Sequence, residues 1–174
     1  MKSGSSIWMT GVIPVLAIAM LLVFSRGLRG ATNPLEGKEA PAFSLETLAG
    51  GTFDLKEHLG KRPVVLDFWA VWCPPCRASL PKVAETVKGL GDADLAFSTV
   101  NLGDSPDKIT EFLKSKNLED LPVALDKNRE AAKLYGVQSI PTMVLIDKEG
   151  KVAVVSVGAM TESALSAALK KLLD

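Results

Sequence analysis

The sequence predicts one α/β domain, a mixed sheet with helices on both faces, behind a single apolar N-terminal segment. Three observations carry that reading. After residue 41, short apolar runs alternate with stretches of helical character, the pattern of strands interleaved with helices. One of these runs, VVLDFWA (64–70), is almost continuously apolar, as a central strand buried on both faces has to be. Residues 7–24 (IWMTGVIPVLAIAMLLVF) carry 15 apolar side chains in 18, with no amphipathic pattern around them.

The chain's 174 residues balance 20 basic against 20 acidic groups, and 47% of them are apolar. That length suits one domain plus an appendage. The charge is unevenly spread: residues 1–30 hold Lys2, Arg26 and Arg29 and no acid, which leaves 17 basic and 20 acidic groups in the rest. No clustered cationic footprint exists, so no nucleic-acid partner is expected. Two cysteines are too few for a disulfide scaffold or a cysteine-rich zinc fold.

Residues 1–6 form a flank, and 7–24 read as a transmembrane anchor or a signal segment. A helix of that length spans about 27 Å, just short of a hydrocarbon core of about 30 Å. Gly11 and Pro14 weaken a soluble helix but are tolerated in a membrane span. Val23-Phe24-Ser25 is a poor cleavage site, because no A-x-A motif follows and Arg26 comes next. A retained anchor is therefore favoured over a cleaved signal peptide. Lys2 on one side faces Arg26 and Arg29 on the other, so the positive-inside count does not set the orientation. Residues 25–41 (SRGLRGATNPLEGKEAP) combine Gly, Pro and charge without apolar periodicity, and read as a linker.

The domain is expected over 42–174. Phe43–Leu45 and Thr52–Leu55 flank Ala49-Gly50-Gly51 as an N-terminal hairpin. The central strand 64–70 follows Pro63. A helix starts near Pro74 and runs to about Gly89, with Pro81 as a kink inside it. LAFSTVNL (95–102) is the next strand, and Asp104-Ser105-Pro106 caps a helix reaching about Ser115. LPVALD (121–126) reads as a short strand and 128–135 as a short helix. After Pro141, TMVLID (142–147) and KVAVVSV (151–157) surround a turn at Lys148-Glu149-Gly150. The last helix opens at Thr161 and shows an apolar stripe through Leu165, Ala168, Leu169, Leu172 and Leu173.

Both cysteines lie in Trp72-Cys73-Pro74-Pro75-Cys76, directly after the buried strand and at the start of a helix. Unpaired N–H groups and the positive end of the helix favour an anion there, so the first thiol ionises more easily than a free cysteine. The thiolate is the attacking form in thiol–disulfide exchange. Cys73, at the exposed edge of the turn, is the expected nucleophile, and Cys76, more buried, the resolving thiol. A purely structural disulfide closing so short a loop would stabilise by only about 2 kcal/mol, against about 4.7 for a 100-residue loop. One Cys-x-x-Cys pair supplies two zinc ligands and the only histidine is His58, so a tetrahedral site is incomplete. Haem attachment needs His after the second cysteine, where Arg77 stands. His58 itself is expected at the solvated surface. Asp67, in the middle of VVLDFWA, should respond to burial with a raised pKa, which suits proton transfer near neutral pH.

The stretch EGKEAPAFSLETLAGGTFDLKEHLGKRPVVLDFWAVWCPPCR (36–77) resembles thioredoxin-fold oxidoreductases of the TlpA/ResA/DsbE type, proteins tethered outside the bacterial cytoplasmic membrane. The likeness continues through YGVQSIPTMVLIDKEGKV (135–152) and VGAMTESALSAALKKLL (157–173). It implies the thioredoxin fold with a central insert at roughly 104–128. It also implies a domain facing the periplasm or the extracytoplasmic space, held by residues 7–24 or secreted after cleavage. The function it implies is thiol–disulfide exchange on exported proteins, apocytochrome c among them. The redox group is the Cys73–Cys76 pair itself, with no cofactor and no metal; the partners are protein thiols and disulfides and a membrane electron donor or acceptor, and a monomer is expected. By the same resemblance Ile140-Pro141 is a cis-proline loop facing the cysteines, and Trp72, Pro74, Pro75 and Gly158 line the substrate groove. Asp67 would lie behind Cys76 as its proton acceptor.

The chain departs from that type in places. Asp67 stands where Asn is common, and Ser79 where an acid is common; both shifts move toward the thioredoxin arrangement, although strand 95–102 lacks a lysine to tune Asp67. The segment Gly136-Val137-Gln138-Ser139-Ile140-Pro141-Thr142 matches the GVxGxPE pattern of cytochrome c maturation reductases only in part. Two other functions remain in view. The hairpin and insert also resemble peroxiredoxins, but Ala70 replaces the Thr or Ser that helps hold peroxide. Cys73 and Cys76 could serve a tethered chaperone as soft Cu(I) ligands, though the longer spacing and histidine usual in such chaperones are missing.

Overall fold

The computed structural model describes residues 33–91 and 94–174. The apolar segment 7–24, its flank and the first part of the linker lie outside the described residues. Among those described, no helix is long and apolar enough to cross a membrane.

The element that organises the domain is strand β3 (Val64–Trp69), all six residues of which are buried. Five strands make one mixed sheet in the order β5-β4-β3-β6-β7: β4 (Ala96–Asn101), β5 (Val123–Leu125), β6 (Thr142–Ile146) and β7 (Val152–Val157). β3, β4 and β5 run parallel, while β6 and β7 are antiparallel to their neighbours. In the register, Asp67 sits between Thr99 of β4 and Met143 of β6.

A strand buried on both sides needs cover on both sides, and the alternation of β3 distributes it. Its odd-numbered residues face one layer. Val65 packs with Val83, Leu165 and Leu169, which come from helices α1 (Pro74–Lys88) and α4 (Glu162–Leu173). Trp69 packs with Leu80 of α1 and with Ile109, Phe112 and Leu113 of helix α2 (Pro106–Lys114). Two successive parallel crossovers, β3-α1-β4 and β4-α2-β5, step the same way along the sheet, so the shared handedness of such connections lays both helices on one face. The even-numbered residues Leu66 and Phe68 face the opposite layer. There they meet Ala131, Ala132 and Tyr135, from helix α3 (Glu130–Leu134) and its C-terminus, and Phe43 and Leu55 around the hairpin.

The hairpin of β1 (Ser44–Glu46) and β2 (Thr52–Asp54) forms as the glycine pair suggests. It also guards an edge of the sheet: Thr47 bridges Ala124, and the Leu48 N–H donates to the Val123 carbonyl at 2.9 Å. The other edge is covered by a segment expected to be linker. Glu39 bridges Lys151, the Gly37 N–H donates to Val152 O at 2.8 Å, and the Val152 N–H donates to Lys38 O at 2.9 Å. Residues 33–41 thus belong to the domain, because the open strand edge supplies backbone partners that no side-chain periodicity announces.

Further differences are local. α1 runs unbroken through Pro81 to its C-cap at Gly89. Neither Asp104 nor Ser105 caps α2 with its side chain; the Asp104 carboxylate is used elsewhere. His58 is half-buried and stacked on Phe53, ring centroids 5.3 Å apart, with its Nδ1 enclosed and unpartnered. Phe53 of β2, five residues earlier in the chain, draws it off the surface. The β6–β7 turn needs its glycine: Gly150 has φ +85°, and a Cβ there would stand 3.4 Å from the Gly60 nitrogen.

Short helix α3 is held by the buried Asp126. Its carboxylate accepts from the N–H groups of Ala131 (3.3 Å) and Ala132 (2.9 Å), while its own N–H donates to Asn101 O of β4. Asp126→Ala leaves two enclosed N–H groups without a partner and should cost about 1–3 kcal/mol of stability. The expected result is a lower urea midpoint with an unchanged slope.

Candidate active site

β3 delivers the chain to the C-terminal edge of the sheet, where it turns and enters α1. The turn closes with the Cys73 N–H donating to Ala70 O at 3.2 Å, and it is pinned from the side by the central insert. The Asp104 carboxylate accepts from the Val71 N–H at 2.6 Å and from Asn101 Nδ2 at 3.0 Å, while the Asp104 N–H returns a bond to Asn101 Oδ1. Asn101 ends β4, so the loop ahead of the cysteines is tied to the neighbouring strand through charge-assisted bonds.

Cys73 is the N-cap of α1, and Cys73 and Cys76 are joined in a disulfide with Cα atoms 5.3 Å apart. Pro74 and Pro75 occupy the first two helical positions, where proline's fixed φ suits the helix. Neither has an N–H, so the Cys76 amide is the first donor the helix presents. It donates to Cys73 Sγ at 3.2 Å. A Cys73 thiolate would keep that donor and the favourable helix end, both of which stabilise negative charge on sulfur.

Cys73 is 3% exposed and Cys76 1%, so in the disulfide state the first cysteine is less open than its place at the turn suggests. Cys73 nevertheless lines a groove of about 380 Å³ together with Trp72, Pro74, Pro75 and Ile140. Trp72 is 62% exposed, an apolar surface beside the sulfur. The Ile140–Pro141 peptide bond is cis, and the Ile140 carbonyl oxygen lies 3.6 Å from Cys73 Sγ. Gly158 is joined directly to the proline loop: its N–H donates to the Pro141 carbonyl at 2.8 Å. Its φ of +93° favours glycine there.

Asp67 lies on β3 between Val65 and Trp69 on the same face, the one that packs against α1. It is 2% exposed, and neither ion pair among the described residues involves it. Burial alone pushes its carboxyl up from an ordinary 3.8 to about 7. Cys76 and Leu80 of α1 pack around Trp69, which places Asp67 on the same side of the sheet as the second cysteine.

Two groove or loop residues escape the sequence. Asp104 reads locally as a helix cap, and only the fold reveals its bond to Val71. Arg129 lines the groove with Gln138 and Ser139, yet nothing near it in sequence points there. It adopts the left-handed conformation with φ +58°, which costs an L-residue about 1–2 kcal/mol. Among the described residues no group of three or more His, Cys, Asp or Glu converges as a metal site.

A disulfide at the N-terminus of the helix that follows the central strand, facing a cis-proline loop, defines a thiol–disulfide oxidoreductase of the thioredoxin fold. The AhpC/TSA family matches residues 37–155, and the chain belongs to that family, within its thioredoxin-like members of the TlpA/ResA/DsbE type. The thiol-disulfide oxidoreductase ResA of Bacillus subtilis (strain 168) is 36% identical over 155 residues, covering 88% of this chain and 86% of that protein. The exposed lipoprotein thioredoxin of Streptococcus pneumoniae strain TIGR4 superposes with a TM-score of 0.66 at 36% identity, over 76% of this chain and 100% of that one. A secreted Mycobacterium tuberculosis disulfide oxidoreductase homologous to E. coli DsbE gives 0.66 at 25% identity, over 75% and 96%.

Asp67 should leave a signature in stability. The folded protein holds its proton up to about pH 7, while the unfolded chain releases it near 3.8. Its contribution is therefore full below the unfolded value and is lost as pH rises toward 7, by about 1.4 kcal/mol per pH unit. Asp67→Asn has no proton to lose and should gain on the wild type in urea midpoint between about pH 4 and about pH 7, with no further gain above that. A difference between the two proteins that does not change with pH would mean that the carboxyl is not desolvated.

Proposed function

We propose that this oxidoreductase works as a reductant of disulfides in exported proteins, held at the outer face of the cytoplasmic membrane through residues 7–24. The observation that carries the reading is Cys73: it caps α1, accepts the Cys76 N–H, and lines a groove open beside Trp72 and Ile140. The extracytoplasmic location is supported by relatives described as exposed and as secreted. Apocytochrome c is one substrate of this chemical class, although residues 136–142 keep only part of the pattern of dedicated cytochrome c reductases.

In the reduced protein the Cys73 thiolate attacks one sulfur of a substrate disulfide. A Cys73–substrate S–S bond forms, the substrate bond breaks, and its second sulfur leaves as a thiolate that takes a proton from solvent. The substrate backbone lies along Ile140-Pro141. Asp67, ionised near its elevated pKa, accepts the Cys76 proton. The Cys76 thiolate then attacks Cys73 Sγ, forming the Cys73–Cys76 disulfide and releasing the other substrate sulfur. Two electrons have passed to substrate, and a dithiol donor at the membrane restores the pair. The dithiol is the whole redox group, and one chain supplies every residue named.

Cys76→Ser should trap mixed disulfides with cell-envelope proteins through Cys73, and Cys73→Ser should trap none; non-reducing gels with mass spectrometry read both. The direction of flow is read from the reduction potential of the pair. A reductant falls toward thioredoxin's value of about −270 mV, whereas a value above about −150 mV would make the protein a disulfide donor. Peroxide-driven oxidation of Cys73 at peroxidase rates, or tight Cu(I) binding without insulin reduction, would replace the proposal with another function.

A further inference from the structure

The groove beside the disulfide is apolar on most of its wall. Its lining includes one charged residue, Arg129, together with Gln138, Ser139 and Ile140. Neither of the ion pairs among the described residues uses it; they join Arg62 to Asp94 and Lys127 to Glu46. The neighbouring Lys127 is thus engaged with Glu46, and Arg77 of α1 is engaged over the Phe112 ring, 5.8 Å from its centroid. No acid is among the described residues that line the groove.

The backbone makes the position more telling. Asn117 and Arg129 are the two non-glycine residues with positive φ among the described residues. Asparagine is at home in that conformation, whereas arginine is not, and a glycine or asparagine would hold the turn with less strain. The turn itself is already secured without the arginine side chain: the Arg129 N–H donates to Asp126 O, and the Lys133 N–H donates to Arg129 O. Among the described residues the guanidinium is therefore in neither ion pair and is not needed to hold the turn. A residue held in a sparsely populated backbone conformation while it lines a ligand groove is where function is sought.

Resting on the reductant reading above, we propose that Arg129 is a specificity-determining residue that selects polypeptide substrates bearing an aspartate or glutamate next to the reacting cysteine. A volume of about 380 Å³ corresponds to a body about 7 Å on an edge, roughly two residues of extended chain at about 3.3 Å each. A substrate sulfur seated at Cys73 thus brings a flanking side chain within reach of the guanidinium. A carboxylate there finds a planar, always charged donor fork. A lysine at the same place meets a like charge, which discriminates against it.

The test uses the full-length chain in non-ionic detergent, carrying Cys76→Ser so that only the first step is seen. Reduced protein is mixed with disulfide-linked peptide dimers identical except for glutamate, glutamine or lysine beside the cysteine. The rate of Cys73 adduct formation is followed by mass spectrometry. The glutamate peptide should react faster than the lysine peptide by on the order of fivefold, and high salt should shrink that ratio. Arg129→Gln should bring the ratio near one, Arg129→Glu should invert it, and Arg129→Lys should keep it above one. A ratio near one in the parent protein overturns the proposal. So does an Arg129→Gln change that slows all three peptides equally, since the arginine would then act on the Cys73 thiolate or on the fold. If Cys73 forms no adduct with any peptide, the oxidoreductase reading of the groove falls as well, an outcome distinct from fast but unselective reaction.

Discussion

Burial of β3 on both faces is the constraint from which the rest follows. A strand with Val65 and Trp69 on one side and Leu66 and Phe68 on the other cannot end a domain; it has to lie at its centre. Layers must cover both faces, and right-handed crossovers then place α1 and α2 together on one of them. The chain consequently leaves β3 at the sheet's C-terminal edge and turns directly into α1. Cys73 stands at that junction because the core requires the junction to exist. The apolar pattern of six residues thereby decides where the thiol chemistry sits.

The same burial sets the electrostatics. Asp67 shares the strand with the core residues, and its desolvation stabilises the protonated form at the expense of stability near neutral pH. A neutral residue would serve the fold better, so the carboxyl is a cost the fold carries beside its redox pair. At the other end of the site the balance is opposite. The α1 terminus and the Cys76 N–H favour charge on Cys73, while Pro74 and Pro75 withhold the amides that another sequence would offer there. Trp72 and the Ile140 loop keep the approach apolar around that polar focus.

How legible the site is depends on how local its cause is. The proline loop at 140–141 is legible only through the family resemblance, whereas the pair Cys73 and Cys76 and the central strand announce themselves, because each follows from spacing or from a short run of side chains. Asp104 and residues 33–41 do not. Their partners are Val71, Asn101 and the open edge of β7, brought near only by the folded sheet. His58 reads as a polar surface residue, yet it stacks on Phe53 of the preceding strand β2. Gly158 is tied to the proline loop by the bond from its N–H to Pro141 O, a contact that only the folded sheet makes.

The sequence alone determines the α/β class, the order of strands and helices, and a pair of cysteines poised at a helix start. Those are consequences of hydrophobic period, helix-start signals and turn chemistry, which act over a few residues. The tertiary structure alone decides which residues face Cys73. Arg129 lies 56 positions away in the chain and reaches the groove only because α3 is laid against the opposite face of the sheet and Asp126 fixes its first turn. Local propensity carries no information about such a meeting, since the contact is created by the packing of both faces around one buried strand.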